Sequence, residues 1–415
     1  MRLSSFCIAV AGWLALSIPA WAGPPEARRL EIPIKAVMLA DGDMRFTVPV
    51  SVGGGPPFEA MIDTGSRGLR ITPAVTLAQA SRYAKTGRMV STRFANGLIT
   101  RGEIATAEVA VGEAAPATVT IQAIESVSCM VERPRCGVGN ATPQEYRIGG
   151  MGPTDGFEAV LGLGLRLNSF GNPLSATASG QWIVVLPRPG EPGPGKLIIN
   201  PTAADKAGFA MMQLEPATSD DQPESTGWLD EELSACLSSE TAAGRSWCGE
   251  AVLDTGAPNI YLHAADAAPE WRRGEAMKVE LGRGEVGLTF RYRMDQGSGA
   301  ALYRIPLLGS ESEKLNLGVL PYYYYAVYYD GRAGVIGLKA RPPMPPMATP
   351  LAPRPPAVSG PANRPPSRRA APAPPAPPIV GPPVIVAPPR PARQIDGCVN
   401  GVQRDGNACQ TKGAN

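Results

Sequence analysis

Histidine is almost absent from this chain of 415 residues, in which His263 is the only one. A Ser-His-Asp hydrolase would need that imidazole together with a G-x-S-x-G nucleophile turn, and the sequence has no such turn. A zinc site is also disfavoured, because the cysteines form no C-x-x-C pair and no second imidazole is present. The chain also lacks an excess of charge of either sign. The net charge of +2 is too small to indicate nucleic acid or an anionic membrane as partner.

The first 22 residues have the pattern of a secretory signal peptide. Arg2 supplies the positive charge, residues 6–19 are mostly apolar, and Ala20-Trp21-Ala22 forms a small-x-small cleavage site. A retained membrane anchor is the alternative, but the apolar core is short and no stop-transfer pattern follows. No later stretch of about 18 uninterrupted apolar residues occurs. We therefore expect a soluble or surface-attached protein that is secreted or periplasmic after cleavage.

Seven cysteines are present, and Cys7 lies within the expected signal peptide. The remaining six form three local couples, which are Cys129 with Cys136, Cys236 with Cys248, and Cys398 with Cys409. Six cysteines allow 15 pairings. An even number in an oxidising compartment favours disulfides, and we expect the three local ones.

Composition divides the mature chain into parts. Residues 29–340 contain short alternating apolar runs broken by Gly and Asn turns, which predicts mainly β structure. Residues 341–393 are rich in Pro, Ala and Arg and offer little to bury, so we expect a disordered, extended linker. Residues 394–415 predict a small disulfide-closed segment that is too short for its own core. Attachment to the cell surface and a passive appendage are both open as its role.

The triplet Asp-Thr-Gly occurs twice, at residues 63–65 and 254–256, each time directly after a short apolar run. Each Asp would then stand where a buried strand opens into a turn. An apolar pair ending in glycine follows in both halves, at residues 160–162 and, as the nearest candidate, 316–318. Ordinary β-turns are the competing interpretation. The pattern favours an internal duplication in which each half supplies one carboxylate.

These segments resemble the pepsin-like family of bilobal aspartic peptidases. The matching stretches are residues 58–66, 155–164, 251–257 and 328–338, in the family's order. The resemblance implies a mainly-β fold of two pseudo-twofold-related lobes, here residues 23–185 and 186–340. It also implies a monomer that hydrolyses polypeptides with an Asp63/Asp254 dyad and needs no metal or organic cofactor.

The resemblance also assigns roles to the neighbours of the dyad. Thr64 and Thr255 would hold the two active-site loops together through hydroxyl-to-backbone hydrogen bonds. Gly65 and Gly256 would allow the tight turns and leave N–H groups free to reach the carboxylates. Ser66 would orient the outer oxygen of the first carboxylate, whereas Ala257, at the equivalent point of the second half, cannot donate.

A flap would cover the cleft, with residues 91–100 as its tip. Asn96-Gly97 is a turn signal, and Phe94 stands where the family usually has a Tyr. Arg70 replaces the Trp that usually partners that Tyr. Both members of the pair are therefore changed together, which predicts an altered lid.

Three further expectations follow from the sequence. A pepsin-fold protein that has lost catalysis and binds or inhibits instead, displayed on the Pro-rich stalk, is the alternative function. The first strand candidate, residues 29–34, begins soon after the cleavage site, so we expect no zymogen of the usual kind. The Tyr322–Tyr325 run is expected to alternate between the core and cleft faces of a strand.

Overall fold

The computed structural model describes the parts of the chain given at the end of this paragraph. The expected signal peptide (1–22), nearly all of the Pro-rich linker and Cys409 lie outside them. The chain divides into two compact units, Met1–Pro350 and Leu351–Asn415. The described residues are 27–150, 152, 154–166, 170–176, 179–217, 227–242, 244–265, 270–282, 287–307 and 312–343, with the backbone of 398–399 and 402–403.

The prediction of mainly β structure is confirmed. In the second unit the structure describes one short antiparallel pairing, and in the first it describes two large sheets. Within these described parts, no helix is long and apolar enough to cross a membrane. The strands are β1 Leu30–Met38, β2 Met44–Val52, β3 Phe58–Asp63, β4 Arg67–Ile71, β5 Ala84–Arg93, β6 Leu98–Val111, β7 Ala117–Cys129, β8 Ile148–Gly149, β9 Gly156–Phe157, β10 Ala159–Leu163, β11 Gln181–Val185, β12 Gly195–Ile199, β13 Ala210–Gln213, β14 Pro216–Ala217, β15 Gly227–Trp228, β16 Leu233–Ser239, β17 Ser246–Val252, β18 Ile260–His263, β19 Ala276–Leu281, β20 Leu288–Arg293, β21 Leu302–Ile305, β22 Lys314–Asn316, β23 Tyr325–Asp330, β24 Val335–Ala340, β25 Cys398–Val399 and β26 Val402–Gln403. The helices are α1 Pro73–Ala78, α2 Ala203–Lys206 and α3 Leu320–Tyr324, with a 3-10 turn at Ala80–Arg82.

The larger sheet has 13 strands in the order β13-β24-β23-β11-β12-β1-β2-β3-β10-β4-β7-β6-β5. An additional pairing of β2 with β6 closes six of these strands into a ring. Alternating apolar side chains of β2 and β6 point inward, so that Phe46, Val48 and Val109 are buried. The smaller sheet has seven strands in the order β20-β19-β16-β17-β22-β18-β21.

One strand arrangement occurs twice, once in each sheet. In the larger sheet β10 runs parallel to β3 and antiparallel to β4, which in turn runs parallel to β7. In the smaller sheet β22 runs parallel to β17 and antiparallel to β18, which runs parallel to β21. The register pairs Val160 with Met61 and Asn316 with Val252. Because both partners lie two residues before an Asp of a D-T-G triplet, Val160 and Asn316 occupy corresponding positions.

Two of the three expected disulfides are confirmed, Cys129–Cys136 and Cys236–Cys248. The first closes the loop that follows β7, and the second crosslinks the neighbouring strands β16 and β17. The third expected pair lies outside the described residues, since Cys409 is not described. Disulfides are typical of an oxidising environment such as the periplasm or the extracellular space.

The expectation of a strand over the Tyr322–Tyr325 run is wrong. Residues 320–324 form helix α3, and only Tyr325 begins the next strand. Pro321 is well placed in the first turn of α3, where its missing N–H costs nothing. Tyr322 and Tyr323 of this helix are almost completely buried, and the Tyr322 hydroxyl contacts Thr64 of the first D-T-G triplet.

Candidate active site

The two D-T-G triplets meet between the two sheets. Asp63 ends β3, and Asp254 lies two residues after β17. Gly65 lies directly against the carboxyl group of Asp254, and a Cβ added to Gly256 would lie 2.7 Å from Oδ1 of Asp63. Each triplet therefore places its glycine against the carboxylate of the other. Only a residue without a side chain fits at either place.

The threonines of the triplets hold the two turns together. Thr64 Oγ1 donates to the carbonyl of Leu253 at 2.9 Å, and Thr255 Oγ1 donates to the carbonyl of Ile62 at 2.9 Å. Each hydroxyl also accepts from the other threonine's backbone N–H, at 3.1 and 3.0 Å. Both residues are fully buried. These four hydrogen bonds fix the spacing of the two turns, as a buried network whose members are all paired should.

Tyr322 adds a partner to this network that the sequence did not indicate. Its hydroxyl lies 2.7 Å from Thr64 Oγ1 and 2.6 Å from the hydroxyl of Tyr329. Burial raises the pKa of Tyr322 well above its ordinary value, so the phenol stays neutral. The short helix α3 thus supports the floor of the site from below. Four tyrosines in a row gave no signal of this role, since one turn of helix decides which of them points inward.

Each carboxylate has its own set of donors. Ser66 Oγ donates to Oδ2 of Asp63 at 2.6 Å. In the second half Ala257 cannot donate, and Asn316 Nδ2 donates instead to Oδ2 of Asp254 at 2.6 Å. The N–H of Gly256 donates to Oδ1 of Asp254 at 2.8 Å. The first carboxylate is therefore held by a hydroxyl and the second by an amide.

The carboxyl of Asp254 is buried beside that of Asp63, which makes it harder to ionise. Burial, reinforced by the adjacent charge of Asp63, raises its pKa from 3.8 to about 7. The hydrogen bonds from Asn316 and from the Gly256 N–H oppose that rise. Two adjacent buried carboxyls cannot both carry charge readily, so the pair retains one proton below about pH 7.

A network of charged side chains includes Arg166, Glu231 and Lys314, which line the same cleft as the dyad. Arg166 lies 3.3 Å from Asp230 and 3.0 Å from Glu231, and Lys314 lies 3.0 Å from the same oxygen of Glu231. These four formal charges balance. Burial raises the pKa of Asp230 despite its neighbour Arg166.

A hairpin of β5 and β6 extends over the dyad, with its turn at residues 94–97. The Phe94 N–H donates to the carbonyl of Leu98 at 2.8 Å, and Asn96 Oδ1 accepts from the Leu98 N–H at 3.1 Å. Gly97 has φ +91°, a left-handed conformation that favours glycine. Arg133, in the disulfide-closed loop, donates to the carbonyl of Ala95 at 2.9 Å.

A cleft of about 1380 Å³ lies between this hairpin and the two carboxylates. Apolar side chains in its lining include Met61 of the larger sheet, Phe94 of the hairpin turn and Ile148 of the short strand β8. His263 and Lys314, polar residues of the smaller sheet, also line the cleft. The volume suits an extended chain of several residues rather than a single small molecule. His263, half-buried at the end of β18, thus lines the cleft.

Among the described residues, no group of three or more His, Cys, Asp or Glu side chains is placed to hold a metal ion. No protein-family model matches this chain, and no curated protein does.

Proposed function

We propose that this protein is a secreted aspartic endopeptidase that resembles the bilobal pepsin-like family. The observation that carries the proposal is the pairing of two carboxyls on duplicated strand ends, joined by reciprocal threonine hydrogen bonds. The raised pKa of Asp254, about 7, supports it because the reaction needs one protonated and one ionised carboxyl. Pepsin itself is the best-known example of two carboxyls that share one proton in this way.

The chemistry follows from that single shared proton. A water held between the carboxyls attacks the peptide carbonyl carbon and gives a proton to the Asp63 carboxylate. Asp254 donates its proton to the carbonyl oxygen, and a neutral gem-diol forms. The C–N bond then breaks as the nitrogen takes the proton from Asp63 and a diol hydroxyl returns one to Asp254. The dyad ends as it began, with an acid and an amine released.

The polypeptide substrate would lie across the cleft beneath Phe94 and the Asn96-Gly97 turn. The cleft's volume of about 1380 Å³ supports an extended chain of several residues as the substrate. Secretion through residues 1–22, a monomeric state and a disordered Pro-rich tail belong to the same proposal. Attachment to the cell surface through residues 394–415 is the tail's proposed role, with a passive appendage as the alternative.

Cleavage of an unfolded protein by the full secreted chain, measured from pH 3 to pH 8, tests the proposal. We expect Asp63→Asn and Asp254→Asn each to lower kcat by roughly 10³-fold or more, since general acid–base catalysis contributes on the order of 10²–10⁴. Asp295→Asn is the matched control, because Asp295 lies outside the cleft lining and Asn tolerates its φ of +55°.

The alternative function gives a different result. A binding or inhibitor-like protein on the same fold would show no cleavage at any pH, and Asp63→Asn would change nothing. Its ligand affinity would survive that substitution. Cleavage that persists in both Asn variants, or a complete absence of cleavage by the wild-type chain, would contradict the peptidase proposal.

A further inference from the structure

Arg70 lies at an unusual place for a charged side chain. It belongs to β4, is 1% exposed, and its guanidinium carbon lies 5.6 Å from the ring centre of Phe94 and 5.1 Å from that of Phe170. One ring belongs to the hairpin turn over the dyad, and the other to the interior behind it. A guanidinium between two aromatic faces is favourable because the ring quadrupoles attract a cation.

Few polar groups compete with those rings. The NH1 group donates to Ser66 Oγ and to the carbonyl of Gly68, both at the long distance of 3.4 Å. In the described part of the chain, Nε of Arg70 has no hydrogen-bond partner. Arg70 stays charged at neutral pH: burial lowers its pKa to about 10, while Asp63 opposes that change and Arg166 adds to it.

We propose that Arg70 is a positioning residue that latches the hairpin turn over the dyad through Phe94 and steadies Ser66 against Asp63. The proposal rests on the proposed peptidase function and names a residue that supports it. One guanidinium contacts both the lid and the hydroxyl that donates at 2.6 Å to the catalytic carboxylate. Closure of the hairpin and orientation of Asp63 are thereby coupled through a single side chain.

The backbone hydrogen bonds of the turn explain why holding the Phe94 ring would hold the whole turn. Its N–H and carbonyl both take part in the turn, with Leu98 and Gly97 respectively. A displacement of the Phe94 ring would therefore displace the turn itself. On the other side Arg133 ties Ala95 to the disulfide-closed loop and also donates to the carbonyl of Pro306 at 3.4 Å. Arg70 fixes the inner edge of the hairpin and Arg133 the outer edge.

Hydrogen exchange of the backbone amides of residues 91–98 tests the latch without any need for activity. Measured in the full chain carrying Asp63→Asn, Arg70→Met and Phe94→Leu should each speed exchange about tenfold, as expected for a desolvated cation–π pair. The double variant should be no faster than either single one. Phe209→Leu is the matched control. The Phe209 ring lies outside the cleft lining, with its centre 5.8 Å from Nζ of Lys339, so this variant should leave exchange of the hairpin amides unchanged.

The same single and double variants, made in the chain that retains Asp63 and compared by their kcat/KM, test the positioning role. Arg70→Met and Phe94→Leu should each lower kcat/KM about tenfold and together by no more than that, and Arg70→Lys should fall between. Should Arg70 variants fail to fold, Phe94→Trp should slow hairpin exchange and Phe94→Leu should speed it. Unchanged exchange, or losses that multiply in the double variant, would overturn the proposal.

The two hypotheses fail separately. If cleavage is absent or indifferent to Asp63→Asn, the peptidase function fails while the exchange experiment still decides the latch. If cleavage depends on Asp63 but exchange at residues 91–98 ignores Arg70 and Phe94, the latch fails and the peptidase stands.

Discussion

The substitution Asn316→Val replaces the amide beside Asp254 with the residue that stands at the corresponding position of the first half, Val160. Two hydrogen bonds are lost. One is the donation from Nδ2 to Asp254 Oδ2 at 2.6 Å, and the other is the acceptance by Oδ1 from the Gly318 N–H at 2.9 Å. Only the strength of the first hydrogen bond depends on the charge of Asp254, so measurements at two pH values separate the two contributions to stability.

The magnitudes follow from the two contacts. A buried Gly318 N–H left without a partner costs about 1–3 kcal/mol at every pH. The hydrogen bond to the Asp254 carboxylate is worth about 1.5–3 kcal/mol when the group is ionised, or roughly 1–2 pKa units. Because Asn316 opposes the raised pKa of Asp254, its removal should move that pKa from about 7 further upward.

The sign of the stability effect is fixed by the direction of the pKa shift. A carboxyl whose folded-state pKa lies above its unfolded value stabilises the fold fully below pH 4 and loses that contribution as the pH rises through about 7. At pH 5 Asp254 is protonated with or without Asn316, so only the Gly318 cost appears. At pH 9 it is ionised in the wild type, and the second loss of about 1.5–3 kcal/mol is added.

Urea unfolding of wild type and Asn316→Val at pH 5 and pH 9 measures the difference. When Asn316→Val is made in an Asp254→Asn background, the pH-dependent part of its stability loss should vanish, and the pH-independent part from the Gly318 N–H should remain. In the Asn316→Val variant, Ala257→Ser should restore part of the stability lost at pH 9, because it places a hydroxyl at the position that Ser66 has in the first half. An equal loss of stability at both pH values would refute the claim that Asn316 replaces the missing hydroxyl.

The remaining predictions concern the floor of the site and its charge. Thr64→Val removes a donation, an acceptance and a hydroxyl contact, and should cost about 2–4 kcal/mol in urea unfolding, together with most of the cleavage activity. Gly65→Ala should abolish cleavage because the methyl group would meet the Asp254 carboxyl, whereas Gly287→Ala, with nothing within 4 Å, should be silent in the same assay. Asp254→Asn should raise the melting temperature at pH 8 more than at pH 4, since it removes a buried carboxyl that resists ionisation; an equal change at both pH values would contradict this.

The sequence predicted the parts of the site that repeat. Apolar runs before each D-T-G indicated strand ends, and the apolar pairs ending in Gly162 and Gly318 indicated a duplication. The structure places the corresponding strands, β10 and β22, beside the D-T-G strands. Two local disulfides followed from cysteine spacing. Such features are local, so that composition and alternation of a few residues suffice to predict them.

The parts that depend on tertiary contacts were not predictable in the same way. Asn316 read as part of an apolar segment, and its donation to Asp254 depends on a strand register between residues more than sixty apart. Tyr322 was predicted to lie in a strand, because four aromatic residues in a row favour β structure. It lies instead in helix α3, which has Pro321 in its first turn. The sequence showed Arg70 only as a replacement for the Trp that is usual in the pepsin-like family. Its contacts with the rings of Phe94 and Phe170 depend on residues that are distant in the sequence.

The central claim is that Asp63 and Asp254 share one proton at the floor of the cleft. Titration of carboxyl-labelled aspartate by carbon NMR, in wild type and in Asp63→Asn, tests it most directly. We predict an Asp254 midpoint near pH 7 that falls in Asp63→Asn yet stays above 4, because burial contributes more than the neighbouring charge. A midpoint near 4 in both proteins, or one that ignores the loss of the Asp63 charge, would contradict it.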